Sequence, residues 1–181
     1  MRWDEENLAA VIQRRQPPTL RFFHFSEPTL SYGRLQNLTI VRTLTPTGWP
    51  VVRRPTAGGH VRHENDLCLS LCWRTGTPPM PRAVTQVYEW VHRLIFNALP
   101  PLEGLRLAAC CDTPKAGAPF DQRNCFREPV GHDILLNAQK IAGGALAVKK
   151  GGILYQGSIQ RSVIGEIASF QERVKRLCWP G

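Results

Sequence analysis

Three strand-like runs, residues 133–136, 140–148 and 153–159, follow one another with only Asn137-Ala138 and a short segment around Gly151-Gly152 between them. Connections this short form tight turns, and a crossover to a parallel neighbour needs a dozen residues or more. The runs are therefore predicted to fold as an antiparallel meander. Further strands are expected at residues 20–25, 29–34, 51–54, 67–73 and 105–110, the apolar 67–73 run being central. Helical spacing places helices at 4–15, 84–98 and 162–177. In the second of these Val84, Val87, Tyr88, Val91, Leu94, Ile95 and Ala98 form one apolar stripe for the core, closed by Pro100-Pro101. Helices and strands do not alternate regularly. The predicted fold class is therefore α/β of the α+β type: a mixed, largely antiparallel sheet with helices packed on it.

At 181 residues the chain is expected to form one domain, 1–181, without a C-terminal accessory domain. Lys and Arg outnumber Asp and Glu by 23 to 14, a formal charge of +9 that favours acidic partners. The basic residues lie scattered in pairs such as Arg14-Arg15, Arg53-Arg54 and Lys149-Lys150. The five tryptophans do not interleave with them as a base-stacking platform would, so nucleic acid is not expected as a partner. No run is long enough for a membrane span, and the acidic start at Asp4, Glu5 and Glu6 is unlike a secretory signal. A cytoplasmic location is expected, with the six cysteines mainly reduced. No C-x-x-C spacing suggests a metal site, and Cys68 and Cys72, on one face of a strand, read as small buried hydrophobes.

Three segments carry candidate chemistry. In the first, Arg53 to His63, small residues at Ala57-Gly58-Gly59 let backbone approach a ligand, and arginines flank them. In the second, Gln139 to Ala145, Lys140 enters a strand of very small residues, Gly143, Gly144 and Ala145, which leaves open space beside its ammonium. In the third, Cys125 stands next to Phe126, near basic residues and just after residues 112–123, read as a mobile loop. Taken singly, each also fits an ordinary turn, a solvated lysine or a buried thiol.

In order along the chain, these blocks resemble the lipoate–protein ligase and octanoyltransferase superfamily. The resemblance begins at Leu20-Arg21-Phe22-Phe23 and Pro28-Thr29-Leu30-Ser31-Tyr32-Gly33-Arg34 with Gln36, and continues through Arg53 to His63. It ends with Lys140 to Ala145 and Leu154 to Ile159. It implies transfer of an octanoyl or lipoyl group to a lysine of a lipoyl domain or of the glycine-cleavage H protein. The donor would be acyl carrier protein, or lipoate when ATP and Mg are used by a ligase; the transferase reading requires no cofactor. Cys125-Phe126 resembles one octanoyltransferase branch and implies Cys125 as nucleophile with Lys140 polarising the thioester carbonyl. Arg53, Arg54, Thr56, Ala57, Gly58, Gly59, His63, Gly143, Gly144 and Ala145 would bind the acyl substrate. Two departures stand out: Ala57 replaces the first glycine of the usual triple, and Leu146-Ala147-Val148 intervenes before Lys149-Lys150.

Overall fold

A computed structural model describes residues 1–81, 83–109, 112 and 119–179. Among the described residues nine strands form two sheets. The larger is built from β1 (Thr19–Phe23), β5 (Asp66–Arg74), β6 (Leu105–Leu107), β7 (Ile134–Leu136), β8 (Gln139–Lys149) and β9 (Gly152–Gln160), in the order β1-β5-β9-β8-β7-β6. Each neighbouring pair in it is antiparallel. In the smaller sheet β2 (Thr29–Tyr32) lies between β3 (Val51–Arg53), to which it is parallel, and β4 (Val61–His63), to which it is antiparallel. The mixed, largely antiparallel architecture expected from the sequence is present. The meander is its β7-β8-β9 portion, turning at Asn137-Ala138, both at positive φ, and at Gly151.

Alternation along β5 explains how both faces of the large sheet are covered. Leu67, Leu69, Leu71 and Trp73 join the main core with α3 (Val84–Ala98) and α4 (Ile167–Cys178), contributing beside Val87, Val91, Ile95, Phe170 and Val174. On the opposite face Cys72 packs with Leu154 and Ala147 under Leu8 and Val11 of α1 (Arg2–Ile12). The reading of Cys72 as a small buried hydrophobe fits this packing. A strand with both faces covered is apolar along its length, as in residues 67–73.

Several boundaries differ from the sequence reading. The first helix ends at Ile12; Arg14 takes a positive φ of 58°, so the basic pair lies beyond the helix and does not line its last turn. The strand expected at 105–110 stops at Leu107. The last helix begins later, because Arg161–Val163 forms a 3₁₀ turn, Gly165 has φ 72°, and the Glu166 carboxylate caps the backbone N–H groups of Ala168 and Ser169. The short helix α2 (Leu38–Thr43), capped by Asn37, and strand β4 were not anticipated. Val84, assigned to the core stripe, is exposed. Residues 113–118 of the 112–123 loop, read as mobile from the sequence, lie outside the described residues; Phe120–Gln122, near its end, is a 3₁₀ turn. Among the described residues no helix is long and apolar enough to cross a membrane.

Candidate functional site

Between the two sheets lies a cleft enclosing about 440 Å³ of empty space, its open mouth included. Its floor comes from the large sheet through Gly143, Gly144 and Ala145 on β8, and Gln156, Gly157 and Ser158 on β9. The facing wall comes from the small sheet through Ser31, Val61 and His63, with Arg54 beside them. Cys125 and Phe126 close one side, and Lys140 reaches the same space.

Lys140 is nearly fully buried, and its Nζ lies 2.7 Å from Asp133 Oδ2, which is buried completely. A charge pair taken out of water is tolerated only when the remaining lone pairs find donors. Asp133 finds them: Val130 N–H donates to Oδ2 at 2.7 Å and Tyr88 Oη–H to Oδ1 at 2.5 Å. Burial, then the Asp133 charge, raise the Tyr88 phenol well above its ordinary range, so it remains a donor. Behind it, Tyr88 stacks on His92 with ring centroids 4.1 Å apart. The Nδ1–H of His92 donates to His132 O, which leaves Nε2 to accept the Tyr155 hydroxyl at 2.8 Å. Burial above all pushes His92 down to about 3, consistent with that neutral tautomer.

The small residues after Lys140 act differently from the sequence expectation. A Cβ on residue 143 would overlap Lys140 Cε and stand 2.6 Å from its Nζ. The space left by Gly143 is therefore filled by the lysine itself, lying back toward Asp133. Gly144 is needed for another reason, since a Cβ there would strike the Tyr155 ring.

Cys125 is positioned by backbone. His60 N–H donates to Arg123 O at 2.8 Å, Cys125 N–H donates to His60 O at 3.0 Å, and His60 pairs with Asn124 as an isolated bridge. The approach is so close that a Cβ on Gly59 would overlap the Arg123 carbonyl. The Cys125 thiol donates to Gly59 O at 3.3 Å, and Arg54 Nη2 donates to the same oxygen at 2.7 Å. Loss of water lowers the affinity of the Arg54 guanidinium for its proton, and the nearby Cys125 and Cys68 sulfurs oppose that shift.

Other predicted substrate-binding residues stand behind the cavity wall. Arg53 is exposed, and its guanidinium is turned to Arg34 O. Thr56 is buried, donating to Gln156 Oε1 at 2.9 Å; Gln156 Nε2 donates to Asp4 Oδ2, which ties the loop to the sheet and to α1. Ala57, Gly58 and Gly59 shape the loop without lining the cavity. Residues the sequence reading did not single out include Asp133, Tyr88, Ser31 and Asp66. Cys68, read as a packing residue, faces the cavity and donates to Asp66 Oδ2 at 3.3 Å. His63 Nδ1, Asp66 Oδ2 and Cys68 Sγ lie within 4.8 Å of one another, the one His, Cys and acid grouping of metal-ligating type among the described residues. Here each is engaged by its neighbours, and Asp66 also by Ser158.

Comparison with known proteins agrees with this architecture. The lipoyl protein ligase A/B catalytic domain matches residues 1–172. The chain is 32% identical over 173 residues to the octanoyltransferase LipM of Bacillus cereus, covering 88% of this chain and 59% of that protein. It is 34% identical over 171 residues to the LipM of Geobacillus kaustophilus, with the same 88% and 59% coverage. The chain thus spans about three-fifths of the length of these relatives. Among solved structures, the T. acidophilum protein Ta0514 with bound lipoic acid superposes with a TM-score of 0.64 at 18% identity, over 96% of this chain and 78% of that one. Lipoate-protein ligase A bound with ATP superposes with a TM-score of 0.60 at 18% identity, over 94% and 76%. At that identity both show the shared fold. With its matching family model and its sheet-and-helix architecture, the chain belongs to the lipoyl protein ligase A/B catalytic-domain family.

Proposed function

We propose that the chain moves an octanoyl group from a thioester donor to a lysine of a lipoyl-carrier protein, by way of a thioester on Cys125. One observation carries this reading: Cys125 and Lys140 line the same cavity between the sheets. The similarity to LipM octanoyltransferases supports it. In the first half-reaction the Cys125 sulfur bonds to the octanoyl carbonyl carbon, the donor's C–S bond breaks, and the donor thiol leaves with the proton. In the second, the acceptor lysine's amine bonds to that carbon, the Cys125 C–S bond breaks, and a proton returns to the thiol. Lys140, held by Asp133, would donate to the carbonyl oxygen as it gains charge in both steps. Its partner fixes where the ammonium sits, so little reorganisation is required at the moment of reaction.

Gly144, Ala145 and Gly157 would leave room for an unbranched chain along the sheet, and Val61 would cover it from the facing wall. Acyl carrier protein is the donor and a lipoyl domain or glycine-cleavage H protein the acceptor in this reading. Both classes of carrier suit the chain's formal charge of +9 through electrostatic steering, if acidic. Residues 1–181 would act as one cytoplasmic catalytic unit. Transfer from a thioester needs no ATP or metal ion, whereas a lipoate ligase would form lipoyl-adenylate with ATP and Mg.

The test is an intact-mass spectrum after mixing the protein with octanoyl-acyl carrier protein without ATP. A gain of one octanoyl group, absent in Cys125→Ser, is expected. AMP formation from lipoate and ATP that survives Cys125→Ser, with no octanoyl adduct, would replace the transferase by a ligase. Carrier binding with no covalent product in either assay would reduce the chain to a binding module.

A further inference from the structure

The same cavity holds a second reactive arrangement, on the wall built by the small sheet. Ser31 Oγ lies 2.6 Å from His63 Nε2, and His63 Nδ1 lies 2.7 Å from Asp66 Oδ2. Strand pairing brings Ser31 and His63 together, since β2 and β4 are antiparallel with Ser31 opposite Val61 and Thr29 opposite His63. Asp66 follows His63 by three residues at the start of β5. Its carboxylate fixes the proton on Nδ1, so the Nε2 lone pair accepts the Ser31 hydroxyl. Arg54 Nη1 donates to Ser31 Oγ at 2.7 Å, placing a cation against the oxygen that would become the nucleophile. Ser158 and Cys68 donate to Asp66, and the Phe25 ring lies against the His63 ring, tilted by 33° with centroids 4.4 Å apart. Ser31 and His63 both line the cavity.

The geometry points to an acyl-hydrolase centre formed by Ser31, His63 and Asp66, independent of Cys125 and acting on an acyl ester or thioester held in the cavity. The Ser31 oxygen bonds to the carbonyl carbon and its proton passes to His63 Nε2. The C–S or C–O bond of the substrate breaks, and the leaving thiolate or alkoxide takes that proton. Water then adds to the acyl-serine carbon and gives its proton to Nε2. The Ser31 O–C bond breaks, Ser31 regains the proton, and the carboxylic acid departs. Ser31 lines the cavity but is fully buried, so an acyl group must enter between the sheets and part the surrounding side chains to reach its oxygen. The substrate class, which rests on the proposed octanoyl transfer in the same cavity, is a medium-length, unbranched acyl ester or thioester.

The experiment uses the full chain carrying Cys125→Ala. Octanoyl-N-acetylcysteamine is supplied and release of free thiol and octanoate is followed. In parallel, the same protein is treated with an octyl fluorophosphonate and the modified peptide is mapped by mass. Expected are hydrolysis above the buffer rate, roughly tenfold or more slower when Ser31→Ala or His63→Asn is added, and a phosphonyl group on Ser31. The labelling arm needs no change at Ser31, so it stands even where Ser31→Ala folds poorly. Hydrolysis at the buffer rate without labelling, or a label on a different residue, would overturn the proposal. Because no Cys125 thiol is present, this result is separate from the outcome of the acyl-enzyme test.

Discussion

Lys140 enters the cavity from β8, a strand bonded to β7 on one edge and β9 on the other, whereas Cys125 enters from a segment outside both sheets. The backbone of that segment is tied to His60 by two hydrogen bonds, which make up one isolated bridge. The lysine wall also carries a buried ion pair with its own hydrogen-bond donors, Tyr88 and the Val130 backbone. The cysteine wall depends on clearance, since it holds its shape only while Gly59 lets the Arg123 carbonyl in. Changes on the first wall should therefore cost stability and activity together. On the second they should cost activity with less effect on folding.

The largest expected effect is at Lys140→Met. Asp133 would be left charged and buried, at a cost of about 3–5 kcal/mol, nearer the lower figure because Tyr88 and Val130 still donate to it. Acyl transfer should fall by roughly 10²–10³-fold. The double change Lys140→Met with Asp133→Asn should restore most of the stability in a urea titration while transfer stays lost. Recovery of transfer in the double variant would show that the lysine serves only to neutralise Asp133.

Next is Gly59→Ala, where the new methyl must displace the Arg123 backbone. A cost of about 1–3 kcal/mol is expected. The rate of octanoyl adduct formation on Cys125 should fall more than the unfolding midpoint suggests. Equal losses in both would mean that the two walls are coupled.

A smaller and pH-dependent effect comes from His92, behind the lysine wall. Its folded value of about 3 lies below the ordinary 6.5, so the unfolded chain binds a proton first as pH falls. Its contribution to stability is fully present above 6.5 and is lost as pH drops toward about 3. In urea titrations across that window, His92→Gln should show a shallower decline than the parent chain. Parallel curves would remove His92 from the acid response.

The smallest effect is expected at Ala57→Gly, which restores the triple glycine. Ala57 lies behind the cavity and has no positive φ, so a loss of about 0.4–1 kcal/mol through the freer unfolded chain should be the main consequence. A change in transfer rate of more than a few-fold would show that this position shapes the cavity after all.

These differences also explain what could be read from the amino-acid order. The meander and the helix Val84–Ala98 repeat an apolar period over many residues, and such periods mark where sheet and core must lie. Strand β4 is three residues long and α2 six, too short for any period to declare them. Lys140 and Cys125 stood out because a lysine among glycines and a cysteine beside a loop are unusual neighbours. Asp133 did not, since its role depends on the β7–β8 register, which turns it toward a lysine seven residues later. Ser31 and Asp66 were hidden for a similar reason. One looks like a strand serine and the other like a loop acid until β2, β4 and β5 bring them to His63.

The close approach at Gly59 also restricts how such a cavity can diversify. Backbone touches backbone there, so a larger residue changes the position of Cys125 before it changes the shape of the space an acyl chain would fill. Variation in chain-length preference is therefore directed to positions whose side chains alone meet the cavity, such as Val61, Ala145 and Phe23. If the proposed transfer holds, a library that randomises those three and spares the glycine would sample new specificities while keeping the Cys125 sulfur in register.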